Sequence, residues 1–169
     1  RFGMRMELHQ PYENLTYYGR GPFENYIDRY SGAFIGRYED KVENQFYWYI
    51  RPQETGNKTD VRWLTLLDSG GLGVKITGLQ PISFSALHFS PEDLDPGLTR
   101  KLQHTIDIVP QKNIFLHVDL KQRGLGGDNS WGMYPHNEYR LLDKKYTYSY
   151  MIELVEKGSD KNDYLNSRK

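Results

Sequence analysis

Cysteine is absent from the 169 residues. Composition alone therefore excludes disulfides, thiolate catalysis and zinc–thiolate sites, while the compartment stays open because a missing disulfide suits any location. Net charge is missing too: 22 Lys and Arg balance 22 Asp and Glu, which leaves no overall bias toward nucleic acid or an anionic membrane. A neutral partner is the expectation. No run approaches the roughly 18 to 20 apolar residues of a membrane span, and the start lacks the basic-then-apolar layout of a signal peptide, so a soluble chain with no membrane partner is expected. Nucleophile-elbow, P-loop and dinucleotide fingerprints are absent as well. Gly19-Arg20-Gly21 offers two glycines of the last, but Pro22 follows where a helix would have to open.

Helical spacing is scarce, and alternation is everywhere. The 14 Tyr, 7 Phe and 3 Trp favour a pleated, half-buried surface and also suit a wet carbohydrate groove. Phe2, Met4, Met6 and Leu8 alternate with Gly3, Arg5, Glu7 and His9, a strand pattern from the first residue, expected of a piece of a longer polypeptide. Val61–Leu67, the turn Asp68-Ser69-Gly70-Gly71 and the return run Leu72, Val74, Ile76 predict one hairpin. Leu102–Ile108, the turn 110–113 and Ile114–Leu120 predict a second, and Tyr146–Leu154 the last strand. The one helix expected is short, with Ser90 as N-cap, Pro91 at its first position, Glu92 and Asp93 in the first turn, and a stop at Asp95-Pro96-Gly97. With no repeat of 20 to 50 residues, the reading is all-β: one antiparallel β-sandwich domain over residues 1–157 and a flexible polar tail over 158–169.

Residues able to do chemistry are harder to place. His9, His88, His104, His117 and His136 show no metal-site spacing, so no metal is expected in the chain, and nothing in sequence pairs His104 or His117 with a carboxylate. A glycosidase needs two carboxyls a fixed distance apart, and no such pair is marked. The densest stretch is YYGRGPFENYIDRY, residues 17–30. Its glycines and Pro22 predict a sharp corner held by Glu24, Asp28 and Arg29, with Tyr17, Tyr18 and Tyr26 packed beneath. RPQETGNKTDVRW, residues 51–63, reads as a loop across which Arg51, Glu54, Asp60 and Arg62 pair. Trp48 and Trp63 read as core. Trp131 stands instead in GGDNSWG, residues 126–132, beside Asp128, Asn129 and Ser130. Either it folds back to seal a core, or its ring is a platform for a sugar whose hydroxyls those neighbours bind.

GPFENYIDR, then RPQETGNKTDVRW, then GLGGDNSWG at matching distances resemble the C-terminal domain of the large bacterial β-galactosidases of glycoside hydrolase family 2, from about Arg1 to Glu156. The resemblance implies an N-terminally truncated part of a galactose-mutarotase-like supersandwich. It implies too that both catalytic glutamates and a magnesium site belong to a barrel domain outside this chain. Trp131 would stack on the bound galactoside, with Asp128 and Asn129 beside it, and no residue of the chain would be catalytic. Asn129 departs from the Asp more familiar at its position, which touches only the loop's hydrogen bonding. The expected partners are a β-galactoside, the remaining domains of the same polypeptide and a further copy of the chain, since a truncated sandwich leaves strand edges uncovered. Bacterial cytoplasm and periplasm both fit. Two other readings stay open: a stand-alone galactoside-binding module, and a mutarotase-like epimerase using His88, His104 or His117 with a carboxylate.

Overall fold

The computed structural model describes residues 1–9, 11–95, 97, 104–126 and 132–156. Seven strands follow in order: β1 Phe2–Leu8, β2 Asn14–Gly21, β3 Phe34–Lys41, β4 Lys58–Leu67, β5 Gly73–Leu87, β6 Ile114–Lys121 and β7 Tyr150–Val155. All belong to one antiparallel sheet of order β1-β6-β5-β4-β2-β3, with β7 paired to β5. The class is the expected all-β, antiparallel, sandwich type. β5 organises it: residues 73–78 carry β7 on one side, residues 83–87 carry β6, and β4 runs along the other edge.

Alternation explains which face is buried. Leu15 and Tyr17 of β2, Leu64 and Leu66 of β4, Val74, Ile76, Ile82, Phe84 and Ala86 of β5, and Ile114, Leu116 and Val118 of β6 form the main core, with Met4, Met6 and Leu8 of β1 packed against it. Val61 breaks parity with Leu64 yet points the same way, because the ladder to β5 shifts register on both sides of it. Residues 79–81 bulge out of the ladders to β4 and β7, where Pro81 has no ladder bond to lose. The bulge is received by the residue before β7: Leu79 N–H and Gln80 Nε2 both donate to the Ser149 carbonyl at 3.0 Å.

The helix is as short as expected, α1 Pro91–Leu94, with a complete capping box: Asp93 N–H donates to Ser90 Oγ at 3.0 Å, and Ser90 N–H to Asp93 Oδ2 at 2.8 Å. Leu94 closes a second small core with Phe46, Leu87, Phe89 and Ile108 on the opposite face of β5. The first hairpin is also as read, its turn wound on Asp68, whose Oδ1 accepts from Gly70 and Leu72.

Among the described residues, 104 onward, the second hairpin is not there. Thr105–Asp107 is a 3₁₀ turn with Ile106 91 % exposed, and both ladder edges of β6 are already taken by β1 and β5. Apolar alternation without a free edge or a face to bury cannot make a strand. The last strand starts at Tyr150 rather than Tyr146, and its alternate Ile152 and Leu154 stay exposed. Trp48 corrects the core reading: it lies on the loop before β4, 55 % exposed, edge-on to Phe46 and Phe89. Trp63 is half-buried on β4. The tail reading for 158–169 falls outside the described residues.

Candidate functional site

Beyond β2 the chain turns through a cis Gly21–Pro22 bond into a corner held by polar groups. Asn25, 1 % exposed, donates through Nδ2 to the carbonyls of Arg20 (3.1 Å) and Phe23 (3.0 Å), and accepts at Oδ1 from Thr59 N–H (2.9 Å) and Thr59 Oγ1 (2.5 Å). Its backbone N–H donates to the Asn57 carbonyl at 2.7 Å, and Asn57 Nδ2 returns a bond to the Asn25 carbonyl at 2.8 Å. Glu24 accepts from Gly56 N–H at 2.9 Å, from the Tyr26 hydroxyl at 3.2 Å and from the Tyr49 hydroxyl. The first two sequence motifs are therefore one hydrogen-bonded unit. Tyr17 and Tyr26 are buried in it as expected, whereas Tyr18, on the other face of β2, is exposed.

Charged groups around the second motif pair outward rather than across it. Arg20 Nε meets Asp60 Oδ2 at 2.5 Å, and Asp60 itself holds φ +52°, a left-handed conformation that a short polar side chain tolerates. Arg62 donates to the Asp60 carbonyl, and Arg1 Nη1 meets Glu54 Oε1 at 2.6 Å. Lys58 is buried with its Nζ on Gln45 Oε1 (3.0 Å) and the Gly56 carbonyl (3.2 Å). Burial lowers its pKa to about 8 against the pull of Glu24 and Asp40. The Glu24 hydrogen bond, with burial and the carboxylate's charge behind it, pushes Tyr49 up to about 12.

The third motif docks on the first. Tyr26 and Arg29 exchange two backbone hydrogen bonds (3.2 and 2.8 Å), which place Asp28 within the turn they close. The Asp28 carboxylate accepts from Leu125 N–H at 3.1 Å and Gly126 N–H at 2.6 Å, two charge-assisted bonds to consecutive amides. Gly124 donates to the Tyr139 carbonyl at 2.8 Å. A Cβ on Gly124 would lie 2.6 Å from Asp28 Oδ2, and one on Gly126, at φ +28°, 2.5 Å from Pro135 Cβ, so glycine is required at both places. Gly126, the last described residue before the segment 127–131, thus lies against Pro135. Asp128, Asn129 and Trp131, the residues expected to bind sugar, lie in that segment, outside the described residues. Of the corner residues expected to form its network, Glu24 holds the second motif and Asp28 the third, while Arg29 contributes its backbone.

Between residues 122–125 and 134–142, with Arg1 beside them, opens a cleft of about 520 Å³. Arg140 lies 4.7 Å and Arg123 5.9 Å from the ring centre of Tyr134 in its wall. Beside the cleft a buried cluster crosses β6. Arg1 Nε meets Asp119 Oδ2 at 2.8 Å, and a second Arg1 nitrogen donates to His117 Nδ1. Burial raises Asp119 to about 6 despite Arg1; burial and then Arg1 lower His117 to about 4. Sequence spacing gave no sign of this cluster, because Arg1 and Asp119 are 118 positions apart.

His88 and His104 do find carboxylates. His88 Nε2 lies 2.9 Å from Glu13 Oε1 and its Nδ1 3.1 Å from the Asn113 carbonyl, so both ring nitrogens tie β5 to neighbouring segments. His104 Nδ1 lies 3.7 Å from Asp107 on the exposed 3₁₀ turn. Among the described residues no three His, Asp or Glu side chains gather as metal ligands, and no helix there is long and apolar enough to cross a membrane.

Fold and site define an all-β sandwich-type domain in which one polar corner anchors a glycine-flanked loop. Residues 1–152 match the family described as β-galactosidase small chain, and the chain belongs to that family. It is similar to β-galactosidases of Priestia megaterium (38 % identity over 152 residues), Streptococcus thermophilus (36 % over 154) and Photobacterium profundum (32 % over 155). These matches cover about nine-tenths of the chain (89, 90 and 90 %) and 14 % of each relative's length.

Proposed function

We propose that this chain is the C-terminal sandwich portion of a retaining β-galactosidase of glycoside hydrolase family 2, acting on terminal β-D-galactosides such as lactose. In this reading it completes the substrate site without performing the chemistry. Trp131 lays its ring against the C–H face of the sugar, and Asp128 and Asn129 offer acceptors to its hydroxyls. The acid/base and nucleophilic glutamates, and the magnesium ion such an enzyme carries, belong to the part of the polypeptide beyond this chain. The observation that carries the reading is the family match over residues 1–152. It is supported by the anchoring of Leu125 and Gly126, at the root of the GGDNSWG loop, on a turn of the same corner motif.

Trp131→Ala in the complete enzyme tests it. Loss of an aromatic stack, roughly 1 kcal/mol or somewhat more, weakens galactoside affinity at least several-fold, and unchanged kinetics and inhibitor binding would remove Trp131 from the site. The chain alone should hydrolyse a chromogenic β-galactoside no faster than its Trp131→Ala variant.

A further inference from the structure

We infer that Asp28 is a positioning residue for sugar binding: its carboxylate fixes where the loop bearing Trp131 leaves the body of the domain. The inference rests on the galactoside reading above and adds a residue to it. Three observations carry it. First, Asp28 spends both carboxylate oxygens on consecutive backbone amides, Oδ1 on Leu125 and Oδ2 on Gly126, so it constrains two peptide planes at once. Second, the carboxylate is itself held, because the paired backbone bonds of Tyr26 and Arg29 close the turn that carries it. The Asn25 and Glu24 bonds then tie that turn to residues 56–59. Third, the stem is built for close approach: side chains at Gly124 and Gly126 would collide with Asp28 and Pro135, respectively.

The chemistry of the clamp follows. Backbone N–H groups can bond only to an acceptor, and an ionised carboxylate offers acceptors alone. An amide in its place presents one oxygen and one N–H₂, and the N–H₂ faces a donor. Asp28→Asn is thus the smallest change that releases one of the two amides with almost no change of volume. Both Asp28 oxygens are engaged by the stem amides, so the residue acts on sugar affinity through the stem that carries Trp131.

The test uses the complete galactosidase polypeptide, with D-galactose as the probe. Hydrogen–deuterium exchange of peptides covering residues 122–134 reads the clamp directly and should speed up in Asp28→Asn. Galactose affinity should fall three- to tenfold in that variant, seen as a higher inhibition constant. In a Trp131→Ala background the same substitution should change affinity less than twofold, because a residue that acts through Trp131 has nothing left to position. Equal losses in both backgrounds would overturn the inference, as would faster exchange with unchanged affinity. A Trp131→Ala enzyme that binds galactose normally would instead sink the underlying galactoside reading, and the positioning role with it. Should Asp28→Asn fail to fold, Asp28→Glu keeps the charge, moves it by one methylene and is read in the same way.

Discussion

Removing the Asn25 side chain should cost more stability than its size suggests. Asn25→Ala deletes four hydrogen bonds, to the carbonyls of Arg20 and Phe23 and from the amide and hydroxyl of Thr59. Were these ordinary exposed bonds, each would contribute about 0.5–1.5 kcal/mol and water would replace part of the loss. Here Asn25 and Thr59 are both buried, and a buried donor or acceptor left without a partner costs about 1–3 kcal/mol. The Thr59 hydroxyl can rotate toward another acceptor, and the Arg20 carbonyl sits at a strand end. Counting the Thr59 amide as a buried orphan at about 1–3 kcal/mol, and the bonds to the Arg20 and Phe23 carbonyls as ordinary ones at about 0.5–1.5 kcal/mol each because Phe23 is exposed, gives about 2–6 kcal/mol, a large part of the 5–15 kcal/mol that holds a typical domain together. Urea unfolding followed by tryptophan emission measures this as a lower midpoint at unchanged slope, and thermal unfolding as a drop of roughly 10 °C. Asn25→Asp separates the terms, since it keeps the acceptor for Thr59 and loses both donors. A loss below about 1 kcal/mol in Asn25→Ala would refute the reasoning, because it would mean that water enters the corner and satisfies the released groups.

Two further outcomes are expected. The pair on β6 should make stability nearly flat with pH between about 4 and 6.5, the range spanned by the two shifts. Asp119, with its folded pKa raised, stabilises at low pH and loses this as pH rises through about 6; His117, with its folded pKa lowered, stabilises above 6.5 and loses this as pH falls through about 4. Melting should therefore rise with pH across that window in Asp119→Asn and fall in His117→Gln, and parallel profiles in the two variants would exclude the pair. The chain on its own should form dimers, because β1, β3 and β7 each pair on one side only among the described residues and Phe34, Ile152 and Leu154 stay exposed there; light scattering showing a monomer at high concentration would contradict this.

Local signals in the sequence carried as far as local physics reaches. Ser90-Pro91-Glu92-Asp93 became a capped helix because cap, proline and acidic turn lie within four residues and need no distant partner. Asp68-Ser69-Gly70-Gly71 became a turn for the same reason. Leu102–Ile108 misled because alternation states what a strand would bury, not whether a neighbour's edge is free, and β6 had none to give. Trp48 misled similarly: its ring meets Phe46 and Phe89 from outside the second small core, a position that depends on Phe89, more than forty residues later.

The candidate site divides along the same line. Composition and glycine spacing identified three motifs, but not that they meet, because the bonds joining them span 32 to 98 positions. Asn25, Asn57 and Lys58 were invisible as buried groups: polar residues next to glycine and proline read as a solvated loop, and only their mutual bonding lets them go inside. That burial has a functional consequence. An apolar corner of equal stability would hold β2 against β4 but would leave no fixed acceptor pointing outward, whereas the polar corner ends in Asp28, whose two oxygens take the amides of the neighbouring loop stem. The corner thus holds the stem of that loop, Leu125 and Gly126, by their backbone amides alone and leaves the Leu125 side chain out of the clamp.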